Sequence, residues 1–312
     1  GGGLTLTGAL AVDGGTVKLD GPFPTGTQNT ALGNDALASG SLSGGYNTAI
    51  GDTALKTNTS GAANVAVGRD ALELNTTGCQ NTALGQNTMY TNVSGDFNTA
   101  VGREALYSNT TADNNTAVGL CALKANTTAP DNVAVGFEAM LTNTTGCRNV
   151  AVGKRALKLN TEGCDNVAIG LNTLGANTTG DFNTGIGFAS LKANTTADNN
   201  SALGYCTLSA NTTGSFNTGI GLCSIYTNTT GGCNSALGND SLRANTTGSE
   251  NTTVGSASML LNTTGSSNTA VGRSALRSNT TAGGNTAVGF CALDANTTGY
   301  SNQALGCGAL GA

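Results

Sequence analysis

Apolar and polar residues recur with a fixed period of 17 residues along most of the chain. One unit, Asn98 to Asn114, reads NTAVGREALYSNTTADN, and its opening Asn recurs from Asn29 to Asn302 at a spacing of 17, with a single spacing of 18. We number the seventeen copies as coils 1 to 17 and count positions within each coil from that Asn. Such a period predicts a solenoid, in which each unit buries its apolar face only against its neighbours.

Two columns of large aliphatic residues predict the core. Position 4 is Val, Ile or Leu and position 9 is Leu, Met or Ile in every coil, while positions 3 and 8 stay small, which predicts close packing beside them. Position 5 is always Gly and position 15 is Gly or Ala. These columns fit backbone that needs positive φ or has no room for a side chain.

The pattern predicts short extended runs at positions 2 to 4 and 11 to 14. Recurrent Gly, the Thr-Thr pairs and the lack of a 3.6-residue apolar stripe exclude helices. Stacked coils give an all-β parallel β-solenoid (β-roll or β-helix), about 80 Å long at roughly 4.8 Å per coil. Charges concentrate at positions 6, 7, 10, 16 and 17, which should face water; Glu162 at position 14 is the exception.

The predicted domains are an N-terminal β cap, or the end of a preceding module, at residues 1–28, and the solenoid at residues 29–312. In the first, two alternating segments, Leu4 to Thr7 and Thr16 to Leu19, flank a turn signal at Asp13-Gly14-Gly15. The chain begins without Met and its array stops partway through a coil. We therefore expect it to be a piece of a longer protein.

Composition narrows the function. The net charge is -5, and the 13 Lys and Arg do not cluster, so we expect no nucleic-acid partner. No apolar run reaches the length of a membrane span, so we expect no membrane insertion. Because there is no His, nucleophile elbow or phosphate-binding loop, we expect no enzymatic activity, metal or cofactor.

Position 12 carries an Asn that opens an Asn-x-Ser/Thr sequon in fourteen coils. In a eukaryotic secreted protein these would be glycosylation acceptors. The alternative, which we favour, is that stacked Asn and Thr side chains hydrogen-bond from coil to coil. The candidate acceptors are Asn75, Asn109, Asn126, Asn143, Asn177, Asn194, Asn211, Asn228, Asn245, Asn262, Asn279 and Asn296.

Threonine columns at positions 2, 13 and 14 place hydroxyls at regular spacing, as an ice-binding face would. The alternative is ordinary β-propensity and ladder packing. Nine cysteines make an odd count, and two pairs, Cys147 with Cys164 and Cys206 with Cys223, share a position in consecutive coils. One coil rise fits the usual Cα separation of a disulfide, although parallel Cβ vectors make the geometry borderline. Semi-buried free thiols are the alternative.

Two further sets of side chains have both a functional and a structural interpretation. Carboxylates near the position 16 to 17 turn could cleave glycans as a pair, but we favour a solvated rim: Asp113, Asp131, Asp165, Asp181 and Asp198. Aromatic rows at positions 16 and 17 and at position 6 could contact sugars or a partner, but we favour their covering the end of the aliphatic core: Phe97, Phe182, Phe216 and Tyr300, and Phe137, Phe188, Tyr205 and Phe290.

The half-unit Asn-Thr-Ala-Val-Gly-x-x-Ala-Leu, as in residues 115–123 and 268–276, resembles the head repeat of trimeric autotransporter adhesins. The full unit with its Asn-Thr-Thr-Gly tail is similar to repeats in tail fibres of marine bacteriophages, as is the entry segment at residues 14–27. The adhesin resemblance implies a trimeric left-handed parallel β-roll. A coil with so thin a core also favours sharing of ladders between chains.

Together these features predict a homotrimeric fibre shaft on a virion or outside a cell, most specifically part of a phage tail fibre used in host attachment. Its expected partners are copies of itself and a host cell-surface glycan or protein receptor. A bacterial extracellular adhesin or filament subunit and an ice-binding solenoid remain the alternatives.

Overall fold

A computed structural model describes residues 28–39 and 41–311, so the N-terminal segment predicted to be a β cap lies outside the described residues apart from Gln28. Throughout this range the protein is all-β, with one three-residue strand per coil in a single 17-stranded sheet. The strands are β1 Thr30–Leu32, β2 Thr48–Ile50, β3 Val65–Val67, β4 Thr82–Leu84, β5 Thr99–Val101, β6 Thr116–Val118, β7 Val133–Val135, β8 Val150–Val152, β9 Val167–Ile169, β10 Thr184–Ile186, β11 Ser201–Leu203, β12 Thr218–Ile220, β13 Ser235–Leu237, β14 Thr252–Val254, β15 Thr269–Val271, β16 Thr286–Val288 and β17 Gln303–Leu305.

Every strand pairs in parallel with the strand of the next coil, residue for residue. Val118 pairs with Val135 one period later. The extra residue of coil 1 leaves the register intact, because Thr30 still pairs with Thr48. The predicted parallel β-solenoid of 17-residue coils is therefore confirmed.

The core is a stack of Ala and Leu ladders. The position 9 side chain, for example Leu106, is 0% exposed, and it clusters with the small residues of positions 3 and 8, such as Ala100 and Ala105. This confirms the position 9 column and the two small columns as core. The interior accepts one long side chain per coil.

The prediction that position 4 belongs to the core is wrong. In each internal strand the middle residue is buried, and the residues on either side, at positions 2 and 4, are partly exposed. Side chains alternate across a strand, so position 4 must share its face with position 2 rather than with position 3. Ala therefore points inward, and the larger aliphatic residue points out.

The predicted second strand at positions 11 to 14 is also wrong, because this return segment forms turns and bends. Three consecutive N–H groups, those of Thr59, Ser60 and Gly61, converge on the carbonyl oxygen of Thr76 in the next coil at 2.9, 3.0 and 3.3 Å. The Thr59 hydroxyl donates to the same oxygen at 2.9 Å. These converging hydrogen bonds join neighbouring coils without forming the regular hydrogen-bond ladder of a β-sheet.

Left-handed backbone closes each coil. The position 5 glycines have φ between 121° and 142°, and a Cβ on Gly33 would lie 2.3 Å from the carbonyl oxygen of Gly51. Both predicted reasons for Gly thus hold at position 5. Positions 7, 9 and 17 also take positive φ with ordinary side chains, as Leu106 does at 53° and Asn114 at 61°.

Two buried asparagine ladders run beside the aliphatic core. At position 12, Asn126 donates to the side-chain oxygen of Asn109 at 3.1 Å and to the carbonyl oxygen of Ala129 at 3.0 Å. At position 1, Asn115 donates to the same Ala129 oxygen at 3.0 Å and accepts the backbone N–H of Asn132 at 3.0 Å. In most coils the position 15 carbonyl therefore joins the two ladders within the coil.

Candidate interaction surface

The outward rows of positions 2 and 4 form one continuous face along the sheet, which we call the strand face. Its position 4 row is aliphatic in every coil, and its position 2 row is mostly Thr with some Val and Ser. Leu203 at position 4 is 47% exposed. A contiguous exposed apolar surface of this kind is typical of an interaction site. The alternation of positions 2, 3 and 4 in the sequence already indicates this face. The large aliphatic side chain at position 4 instead favours an interior position when residue size is considered alone.

The charged columns face water, as predicted. A position 7 carboxylate often meets a Lys at position 10 of the next coil, as in Glu104 with Lys124 at 2.7 Å and Glu138 with Lys158 at 2.9 Å. The Lys124 ammonium lowers the pKa of the Glu104 carboxyl below its ordinary value, and that of Lys158 does the same for Glu138. These pairs join neighbouring coils outside the strand face.

The structure places the predicted sequon asparagines inside the solenoid. From Asn75 to Asn279 they are 0% exposed, and their amide groups form the ladder between coils, which is the interpretation we favoured. Only Asn296, near the C-terminal end, is partly exposed. Glycosylation in a eukaryotic secreted protein stays a prediction, and in the stacked coils both amide N–H groups of such an Asn are already bonded, as in Asn126.

The three threonine columns differ in what their hydroxyls do. At position 13 the hydroxyl usually donates to the next coil, as Thr110 does to the Thr127 carbonyl at 3.0 Å. Hydroxyls at positions 2 and 14, for example Thr116 and Thr128, make no hydrogen bond within the described residues. Free rows therefore lie on the strand face and along the return segment.

All nine cysteines are free thiols. The Sγ atoms of Cys147 and Cys164 lie 3.0 Å apart, and the Cys147 N–H donates to the Cys164 sulfur at 3.0 Å. Burial raises the pKa of the Cys164 thiol to about 11, and its hydrogen bond with Cys147 adds to the shift. Burial also raises the pKa of Cys223, the partner predicted for Cys206. Disulfide formation in either pair stays a prediction.

The carboxylates of the position 16 to 17 turn serve the backbone and neighbouring side chains. Asp113 accepts the N–H of Asp96 at 2.7 Å, and Asp198 accepts that of Asp181 at 2.8 Å. Asp181 accepts the N–H of Cys164, and Asp131 accepts the side-chain amide of Asn114. Asp165 accepts two guanidinium N–H groups of Arg148. This arrangement matches the structural interpretation of these residues.

The aromatic rows do not cover the aliphatic core, so that interpretation is wrong. The two rows are 36% to 64% exposed, from Phe137 to Tyr300. Phe188 and Tyr205 stack on each other with ring centroids 5.0 Å apart, and the Lys154 ammonium lies 5.6 Å from the Phe137 centroid. The position 3 and 8 residues already close the core, which leaves these rings on the surface.

The described range holds neither a candidate metal centre nor a candidate membrane-spanning helix. Residues 28–39 and 41–311 contain no cluster of three or more Cys, Asp or Glu side chains able to hold a metal ion. The same residues include no helix with the length and apolar character needed to cross a bilayer. No protein-family model and no curated protein sequence matches the chain.

Proposed function

We propose that this chain is the shaft of a homotrimeric fibre on the surface of a virion or outside a cell, most specifically a segment of a phage tail fibre used in host attachment. The role is structural and adhesive and requires no catalytic step. The strand face carries the proposal, because a single solenoid leaves an aliphatic row in water along its whole length. Packing three copies through this face would bury that row.

The stacked coils suit such a shaft. Consecutive coils are joined by strand pairing, by two asparagine ladders and by ion pairs, so bending would strain several sets of bonds at once. The tail-fibre assignment rests on the resemblance of the repeat, and it implies a host glycan or protein receptor as partner. An extracellular adhesin or filament subunit of a bacterium would use the same shaft.

Sedimentation equilibrium tests the proposal. The chain mass is 30.6 kDa, so a trimer has a mass of about 92 kDa, three times that value. Val118→Lys combined with Val152→Lys places charges on the strand face and should dissociate the trimer. Leu141→Lys combined with Leu260→Lys is the matched control, because position 10 already carries Lys in other coils. A native chain that sediments as a monomer would contradict the proposal.

One observation favours ice binding as a second function. The strand face combines unbonded Thr hydroxyls with aliphatic groups in two regular rows, which could order water if the face were exposed. The two functions need opposite states of the same face. Thermal hysteresis in a monomeric preparation would support ice binding. A trimeric preparation without thermal hysteresis would support the fibre-shaft function instead.

A further inference from the structure

The surface just before the return segment has a notch that spans coils 8 to 10. Position 10 of coil 9 is Gly175, whereas the same column carries Lys158 in coil 8 and Lys192 in coil 10. The missing side chain opens a cavity of about 290 Å³, which we call the Gly175 notch, lined by Arg155, Lys158, Leu159, Asn172, Gly175, Ala176 and Lys192.

The backbone beneath the notch is regular. The Leu159 N–H donates to the Gly175 carbonyl at 3.2 Å, and the Ala176 N–H donates to the Lys192 carbonyl at 3.1 Å, as in coils without a notch. The φ of Gly175 is not left-handed, and a Cβ there would come no closer than 3.2 Å to its nearest neighbour, the Asn172 oxygen. Glycine at this site is therefore not required by the fold, in contrast to position 5.

The notch has an excess of positive charge. Lys158 and Arg155 share one carboxylate, Glu138, each at 2.9 Å. Lys192 is exposed and has no carboxylate within ion-pair distance among the described residues. Glu138 thus neutralises only one of the two charges of Arg155 and Lys158. Together with the charge of Lys192, two positive charges at the rim of the notch remain unneutralised.

The remaining lining is apolar with one amide. Leu159 is 43% exposed, and Ala176 and Gly175 add further apolar surface. The Asn172 amide makes no side-chain hydrogen bond within the part of the chain that the structure describes. An apolar surface with a few polar groups is the usual composition of a small-molecule site.

We propose that the Gly175 notch binds an acidic sugar unit, a pyranose that carries a carboxylate. The carboxylate pairs with Lys192 and Lys158, a C–H face of the ring packs on Leu159 and Ala176, and ring hydroxyls bond to Asn172. The volume is at the small end for ligand pockets, which suits one sugar unit. The site lies within one chain and outside the strand face, so it does not depend on the fibre role.

Saturation-transfer difference NMR on the full chain tests the site with glucuronate and glucose as directly observed probes, and with inorganic sulfate, which has no proton signal of its own, as a competitor of glucuronate. We expect glucuronate to bind saturably and at least tenfold more tightly than glucose, and to weaken as salt rises. Gly175→Leu fills the notch with a side chain that Leu141 and Leu260 already place in this column, and should abolish binding. Ser209→Leu introduces the same side chain into this column one coil beyond Lys192 and should leave binding unchanged.

Lys192→Gln is the second variant, since it alters only an exposed side chain and should weaken glucuronate binding about threefold to tenfold. Equal binding of glucuronate and glucose, no binding of glucuronate, or full binding by Gly175→Leu and Lys192→Gln would overturn the site. If sulfate competed with glucuronate with an inhibition constant equal to the Kd of glucuronate, the sugar assignment would be overturned, because such binding needs only the charges.

Discussion

At the scale of single residues, the position 12 asparagine is the most demanding side chain of the coil. It is fully buried, and its amide must bond at once to its own coil and to both neighbours. Burying an amide without hydrogen-bond partners is unfavourable. Removing the amide is also unfavourable, because its former partners then stay buried and unpaired. This explains why the column keeps Asn in almost every coil.

Asn126→Ala should lower the free energy of unfolding by about 2 to 4 kcal/mol, because it leaves the Asn109 oxygen and the Asn143 amide each short of a partner. Urea unfolding followed by far-UV circular dichroism measures the change. Thr128→Ala, two residues along, removes an exposed hydroxyl without a protein partner and should change stability by less than about 0.5 kcal/mol. Similar losses in both variants would contradict the ladder's importance.

Some of these residue roles could be predicted from sequence and others could not. Gly at position 5 and the buried position 9 side chain follow from strict columns. The left-handed conformation of Leu106 does not, because a branched residue normally avoids it at a cost of about 1 to 2 kcal/mol. Its N–H donates to the Ala122 carbonyl of the next coil at 3.0 Å, a bond that only the stacked array supplies.

At the scale of the coil, the small inner residues of neighbouring coils fit each other. Gly185 at position 3 of coil 10 faces Thr173 at position 8 of coil 9, and a Cβ on Gly185 would lie 2.6 Å from the Thr173 methyl carbon. Gly219 has the same relation to Thr207, at 2.7 Å. A larger side chain on one coil is matched by a smaller one on the next.

Gly185→Ala should therefore destabilise the protein by about 1 kcal/mol, the low end for overpacking, since coils 4 and 5 tolerate Thr88 with Ala100. Adding Thr173→Ala should recover most of that loss, because Ala at both positions is the common arrangement. A double-mutant cycle on urea unfolding measures the coupling. Additive effects of the two substitutions would contradict the contact.

The ion pairs between coils should make stability depend on pH. Glu104 and Glu138 have pKa values lowered from the ordinary 4.5, chiefly by their lysine partners. A lowered pKa in the folded state contributes stability that is present above the ordinary pKa and is lost as pH falls through the folded value. The free energy of unfolding should thus decrease as the pH is lowered from about 5 to about 3, the range in which carboxyl groups titrate.

Glu104→Gln with Glu138→Gln should flatten this pH profile, as measured by urea unfolding at several pH values. Glu162→Gln is the control, because that carboxylate is exposed at position 14 and forms no ion pair with a described residue. An unchanged profile in the double variant would show that other groups set the acid dependence.

The coil also shows where its sequence pattern was ambiguous. Polar, β-prone residues at positions 11 to 14 favour a strand, yet in coils such as coil 2 the N–H groups of positions 13, 14 and 15 share one acceptor, the position 13 carbonyl of the next coil. Propensity cannot distinguish a ladder from a convergent turn, because both join successive coils. The sequence of a three-residue strand also does not reveal which of its side chains point inward. In the structure the middle residue, Ala117, is buried, so Val118 on its C-terminal side points outward.

At the scale of the whole molecule, the solenoid is a one-dimensional array. Strand pairing and both asparagine ladders join each coil only to the coils before and after it. Coil 17 packs on one neighbouring coil among the described residues, and its Leu305 is 82% exposed. Stability in such an array is roughly a sum over coils and their interfaces, so removal of one complete coil should leave the remaining interfaces intact.

Deleting residues 115–131, one complete period, joins Asn114 to Asn132 and brings β5 against β7 in the register that β5 now has with β6. We expect a folded protein with the same oligomeric state and nearly the same urea midpoint, measured by sedimentation and circular dichroism. Deleting residues 115–123 removes the strand, the position 1 ladder Asn and the inner leucine of that coil but keeps its return segment. It should lower the midpoint or split the transition, because coils 5 and 7 then meet across a unit with no strand to pair. If both deletions behaved alike, stacking in register would not be what holds the molecule together.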